Sequence, residues 1–191
     1  MNNKKIDLRI IKTKKLLFQS LIEIMKDKTF EEIKVSDICS KALINRSTFY
    51  SHYADKYELL VDLINEYKNN LENTLNTNKH IVNTKEYYME AIRLLLIHID
   101  EYRNIYHNIL INNRNSVVMD ILIDVLSKNI KQKLEDSNVD TGNIPNDIVA
   151  LFYFGAVSSI CISYLNDNKK YTDEEIMKYL NILIPDNIKE F

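Results

Sequence analysis

From Leu8 to Lys26 the apolar residues recur at helical spacing. Leu17, Leu21, Ile24 and Met25 share one face, with Phe18 and Ile22 beside it. Asp27 to Thr29 breaks the pattern, and Phe30 and Ile33 anchor the turn. Val35–Ala42 fits a short helix with Ile38 and Cys39 turned inward. Leu43, Ile44 and Asn45 make a tight break, and Asn45 is a good N-cap for a second short helix, Arg46–His52. Asp55, with Glu58 three residues on, opens a long helix to about Asn76. Its buried stripe is Tyr57, Leu60, Val61, Ile64, Leu71 and Leu75.

Residues 1–7 are polar and read as an arm, and Asn76 to Asn83 reads as a connection. Further helices are predicted over Lys85–Asp100, Glu101–Ile111 and Ser116–Leu134. Asp136 to Pro145, with Gly142, is the clearest loop. Thr172 caps a last helix to about Leu183, and Pro185 stops it. Between them, Asp147–Leu165 is apolar nearly all round, and Ile148 to Leu165 carries no charge. That length touches the lower limit of a membrane span. Its serines (158, 159 and 163), Tyr153, Tyr164 and Gly155, with Asp147 and Asp167 at the flanks, favour another reading. The helix is buried on two sides, by its own core and by a second subunit, and the chain does not enter a membrane.

Only 2 Gly and 2 Pro occur in 191 residues. Sandwiches, barrels and dinucleotide-binding folds need glycine-bearing turns, so the composition points to an all-α fold. Net charge is −2, but its distribution is uneven. Residues 1–56 hold 12 Lys and Arg against 7 Asp and Glu, and the remainder holds 13 against 20. A basic N-terminal third on an acidic remainder suits contact with a polyanion at one end. Cys39 and Cys161 lie far apart in apolar stretches and read as buried thiols in a reducing cytoplasm. The 4 histidines show no metal-ligand spacing, and no cofactor is expected. The lysine-rich start lacks a signal-peptide pattern, so the expected location is cytoplasmic.

Two short helices joined by about three residues, behind one amphipathic helix and ahead of a long one, describe a helix-turn-helix. Ile38, Cys39, Ala42, Ile44, Phe49 and Tyr53 supply the small or apolar residues needed where the short helices cross. Arg46, Ser47, Thr48, Tyr50 and His52 supply an outer face of polar and basic groups. Arg46 can fork onto guanine O6 and N7, a contact worth roughly 1–3 kcal/mol of discrimination. Thr48, Tyr50 and His52 can bond phosphates or base edges. Lys56 opens the next helix, where the dipole already favours a phosphate.

The run I-C-S-K-A-L-I-N-R-S-T-F-Y-S-H-Y-A-D-K-Y-E-L-L, Ile38 to Leu60, resembles the DNA-binding domain of TetR-family transcriptional regulators. The lead-in from Thr13 to Ile33 resembles that family's first helix and its connection. More weakly, the remainder is similar to the C-terminal region of Firmicutes-type members, including relatives of the dihydroxyacetone kinase operon regulator. The resemblance implies a three-helix DNA-binding domain over residues 1–56, joined by a long helix to a regulatory and dimerisation bundle over 57–191. It places Thr48, Tyr50, His52 and Lys56 at DNA contacts, Arg46 and Ser47 at base-reading positions, and Phe49 and Tyr53 in the core. With Asn45 at the helix start and Lys34, these make up the expected DNA-facing set. There are departures. Leu43 stands where the turn usually has Gly, Lys34 where a Thr often caps the second helix, and Tyr164 where a Trp is frequent.

By the same resemblance the C-terminal part holds a small-molecule pocket. Polar groups on otherwise apolar helices are the candidates: Arg93, His98, Tyr102, Tyr106, His107, Tyr153 and Ser159. Gly155 lacks a side chain mid-helix, which close approach of another helix would compensate. A two-fold dimer on the last two helices is therefore expected, through Phe152, Gly155, Ser159, Ile162, Met177 and Leu180. It sets two recognition helices about one DNA turn apart, on a palindromic operator. The resulting expectation is a repressor released by an effector. The alternative is an activator or coactivator controlled by a protein partner. No paired carboxylates or nucleophile–base spacing support an enzyme.

Overall fold

A computed structural model describes residues 8–77, 84–112, 117–136, 141, 143–166 and 170–184. Among these, every regular element is a helix. In order they are α1 (Leu8–Met25), α2 (Val35–Ala42), α3 (Arg46–Tyr50), α4 (Lys56–Thr77), α5 (Thr84–Glu101) and α6 (Arg103–His107). A π-helical turn (Asn108–Asn112), α7 (Val117–Asp136), α8 (Asn146–Asn166) and α9 (Asp173–Leu183) follow. Lys4, Lys5, Gly142 and Pro185 lie outside the described residues, as do the arm and part of each expected connection.

The chain divides into two compact units, Met1–Ile64 and Asn65–Phe191. In the first, α1 packs on α2 and α2 on α3. Leu17, Leu21, Ile33, Ile38, Phe49 and Leu59 are its fully buried side chains. The opening turns of α4 belong here for a polar reason. Asp62 Oδ2 accepts the Tyr53 hydroxyl at 2.7 Å and the Lys14 ammonium at 2.8 Å. One carboxylate thus ties α4 to α1 and to the chain leaving α3. At the start of α4, Asp55 Oδ1 accepts the N–H groups of Tyr57 and Glu58 at 2.8 and 2.9 Å. Glu58 reaches back to the Ala54 N–H. Four otherwise orphaned donors at a helix start favour such acceptors.

In the second unit α7 packs along α8, and α5 contacts α8 and α9. Ile92, Leu96 and Ile99 meet Leu110, Cys161, Tyr164, Leu165, Ile176 and Leu180 in one core. Thr172 and Glu175 form the reciprocal cap of α9, with bonds of 3.2 and 2.9 Å. Arg103 bonds the Tyr164 and Leu165 carbonyl oxygens at 3.3 and 3.0 Å, satisfying carbonyls near the end of α8.

Two predicted helices differ in detail. The expected Arg46–His52 ends at Tyr50, where Ser51 Oγ donates to the Thr48 carbonyl at 2.7 Å. The expected Glu101–Ile111 is broken at Tyr102 and finishes in the π-helical turn. Ile105 and Leu110 are both buried. On a continuous α-helix they would stand about 140° apart, and the wider turn accommodates both.

Candidate nucleic-acid interface

The turn between α2 and α3 rests on a strained residue. Leu43 has φ 55° and ψ 40°, a left-handed conformation, and its side chain is 92% exposed. Its N–H bonds the Ser40 carbonyl at 3.3 Å, and Ile44 N–H bonds Cys39 O at 3.0 Å. These two bonds close α2 and hold the backbone where glycine would be favoured. Asn45 then adopts an extended conformation at the start of α3, but its side chain makes no capping bond. The expected N-cap is therefore positional only.

Beyond that start, α3 separates its faces sharply. Phe49 is 0% exposed and Tyr53 is buried behind it. Arg46, Ser47 and Tyr50 are exposed, and Thr48 and His52 are half-exposed. Tyr50 stands edge-on to Phe49 at 5.5 Å between ring centres, so the core ring props the exposed one. Lys34 is exposed at the start of α2. Asp37 accepts its N–H at 3.2 Å, the one half of a capping box that a lysine at this position permits. That bond holds the Asp37 carboxyl below the ordinary carboxylate range.

Lys56 departs from expectation. Its ammonium donates to the carbonyl oxygens of Phe30, Glu31 and Ile33 at 2.8, 3.0 and 2.8 Å. It also lies 4.8 Å from the Phe30 ring centre. All three donors are committed, so the geometry offers a clasp on the α1–α2 connection in place of a phosphate contact. Burial lowers its pKa, against the pull of Glu31. Lysine at a helix start fits both roles, so sequence pattern alone does not separate them.

In the second unit, three of the expected pocket residues come together and the others do not. The His98 ring lies 4.6 Å from Tyr102 and 5.5 Å from Tyr106, and shares a 2.8 Å hydrogen bond between Nδ1 and the Tyr106 hydroxyl. Tyr67 of α4 stands edge-on to it at 4.3 Å. Tyr67 was not foreseen, although it continues the Leu60–Ile64 stripe at helical spacing. Burial pushes the His98 pKa down and the Tyr106 and Tyr67 phenols up. His98 Nε2 and the Tyr88 hydroxyl are shielded from solvent and bond no protein atom among the described residues. Arg93, by contrast, is exposed and forks onto Glu90 at 2.7 and 2.6 Å. His107 and Tyr153 are half-buried, and Ser159 is exposed. Cys39 and Cys161 are buried free thiols, and burial pushes Cys161 up to about 12.

Part of the surface of α8 and of α9 is apolar. Ile148, Leu151 and Phe152 are exposed on α8, and Tyr179, Ile182 and Leu183 on α9. Of the expected interface residues, Phe152 is 61% exposed and Ser159 is exposed. There is open space for a Cβ at Gly155, so no contact among the described residues requires glycine there. Ile162 and Met177 are half-buried against the chain's own core, and Leu180, at 5% exposed, belongs to that core. Leu180 is thus withdrawn from the surface by its place on the inner side of α9. The α8 helix, Asn146–Asn166, is long and apolar enough to cross a membrane by length and composition.

Residues 86–186 match the family model described as the TetR_C_8 transcriptional regulator C-terminal region. A curated relative, the uncharacterized HTH-type transcriptional regulator YxbF of Bacillus subtilis (strain 168), is 40% identical over 62 residues. That match covers 32% of this chain and 16% of the relative. The crystal structure of a TetR transcriptional regulator from Streptococcus agalactiae 2603V is similar with a TM-score of 0.65 and 22% identity. The match covers 95% of this chain and 98% of that one. The dihydroxyacetone kinase operon activator DhaS is similar with a TM-score of 0.56 and 19% identity, over 90% of this chain and 93% of that one. The exposed polar face of α3 and the helical bundle agree with what these comparisons identify: the chain belongs to the TetR family of transcriptional regulators.

Proposed function

We propose that the chain is a cytoplasmic, homodimeric repressor that reads a palindromic operator and is released by a small molecule. The observation that carries this reading is the division of α3, with Phe49 fully buried and Arg46, Ser47 and Tyr50 exposed. Lys34, Arg46, Tyr50 and His52 supply the polar and cationic groups for phosphates and base edges, with Ser47 and Thr48 beside them. The DNA-reading part consists of α1 to α3 with the first turns of α4, and the rest is regulatory. The exposed apolar face of α8 and α9 supports the dimer. The cluster around His98 supports an effector site, because its buried ring nitrogen has hydrogen-bonding capacity that no protein group among the described residues uses. An effector favouring one spacing of the two heads would weaken binding to successive major grooves.

Selection from random duplex DNA with the purified chain tests this. The expected product is an inverted repeat with half-sites about 10–10.5 bp apart. Recovery of no common sequence, with equal affinity for all duplexes, would overturn the sequence-specific reading.

A further inference from the structure

The unused nitrogen of His98 has a definite protonation. Nδ1 and the Tyr106 hydroxyl are 2.8 Å apart, and either group can be the donor in isolation. Burial keeps the Tyr106 phenol neutral, so it carries a proton that needs an acceptor. Among the described residues, the acceptor within its reach is Nδ1, so Tyr106 donates to the ring. Burial also holds the His98 pKa below its ordinary 6.5, which leaves the ring neutral with its one proton on Nε2. The orphaned atom is therefore an N–H donor. It is shielded from solvent and meets no protein acceptor among the described residues. A buried donor left in this way is costly, and a ligand oxygen would relieve it.

The surroundings select the acceptor. The Tyr67 and Tyr102 ring centres lie 4.3 and 4.6 Å from the imidazole, and Tyr67 hydrogen-bonds Tyr102. Flat aromatic faces thus flank the donor. The chain breaks at Tyr102 between α5 and α6, and a π-helical turn follows Tyr106 and His107, a departure common at functional sites. The charge felt by the ring is negative, from Glu101. Two cations near in sequence are engaged elsewhere: Arg93 forks onto Glu90, and Arg103 bonds carbonyl oxygens near the end of α8. A carboxylate or phosphate would face Glu101 without either of them, and an ammonium would meet a donor where it needs an acceptor. An uncharged oxygen on a planar ring meets neither penalty and packs on the tyrosines. We propose that the effector is a planar, uncharged aromatic compound whose carbonyl oxygen accepts the His98 Nε2–H beside the Tyr67 and Tyr102 rings. This rests on the effector reading above and names the ligand class.

Binding of three matched probes to the full chain tests the class. Acetophenone is uncharged and carries an acceptor, ethylbenzene has the same shape without one, and benzoate is an anion. Acetophenone should bind about tenfold more tightly than either of the others. Nitrogen NMR of the chain with isotope-labelled histidine should show His98 protonated on Nε2 and not on Nδ1, and acetophenone should shift the Nε2 resonance. His98→Phe keeps a ring and removes the donor, so it should lose the preference for acetophenone and keep the affinity for ethylbenzene. A free chain with the His98 proton on Nδ1 would overturn the proposal. Tighter binding of benzoate, or equal binding of ethylbenzene, with the His98 resonance shifted, would overturn the ligand class and leave an effector site standing. A His98 resonance that none of the three shifts would overturn both.

Discussion

The Lys56 ammonium lies 2.8 Å from the Ile33 carbonyl oxygen and makes two further bonds to the same connection. A residue expected to touch DNA is thereby spent on joining the start of α4 to the segment between α1 and α2. Lys56→Met keeps the stem over Phe30 but leaves three carbonyls without this donor. Charge-assisted bonds of this kind are worth about 1–3 kcal/mol, and urea denaturation should show a loss of that size. The salt dependence of DNA binding should keep its slope, whereas Lys34→Ala should reduce that slope by about one unit.

Leu43 bears two costs, a left-handed backbone and an exposed apolar side chain. A non-glycine residue in this region costs roughly 1–2 kcal/mol, partly offset by the greater entropy that glycine loses on folding. Leu43→Gly should therefore stabilise the chain by about 1 kcal/mol. Chemical denaturation of the two proteins checks this, and a destabilised variant would mean that Leu43 makes a contact of its own.

His98 gives a pH dependence of definite sign. Burial holds its folded pKa below the ordinary value of 6.5, although Glu101 pulls the other way. As pH falls through 6.5, the unfolded chain gains a proton that the folded chain resists, so stability declines until the lower folded pKa is passed. Tyr67, Tyr102 and Tyr106 face the ring, and burial raises the Tyr67 and Tyr106 phenols, which keeps both neutral there. Carboxylates held low by hydrogen bonds, such as Asp37 and Glu32, act only at more acidic pH. The melting temperature should fall between about pH 7 and 5.5, and His98→Phe should flatten that fall.

The helices were legible because their apolar spacing and caps are local properties. Asp55 and Thr172 sit at starts visible in the sequence, and both cap as expected. Phe49 and Tyr53 inside, with Arg46 and Tyr50 outside, also follow from helical phase. Features that depend on distant partners were not legible. The Lys56 bonds span 23 to 26 residues, and nothing in the local pattern announces them. Arg93 looked like a pocket group because its helix is apolar, yet Glu90 one turn earlier holds it at the surface. Leu180 and Tyr179 are adjacent and both apolar, and only packing decides which faces inward. The π-helical turn follows from burial of both Ile105 and Leu110, which helical periodicity does not foresee.

The central claim is that the exposed side of α3 meets base edges, and Arg46 tests it most directly. The measurement is affinity of the full chain and of Arg46→Ala for the selected duplex and for its single-base variants, at one salt concentration. The account predicts that Arg46→Ala remains folded and loses discrimination at one base pair in each half-site. The loss should be about 5- to 150-fold, the equivalent of roughly 1–3 kcal/mol. Unchanged selectivity at every position would contradict it.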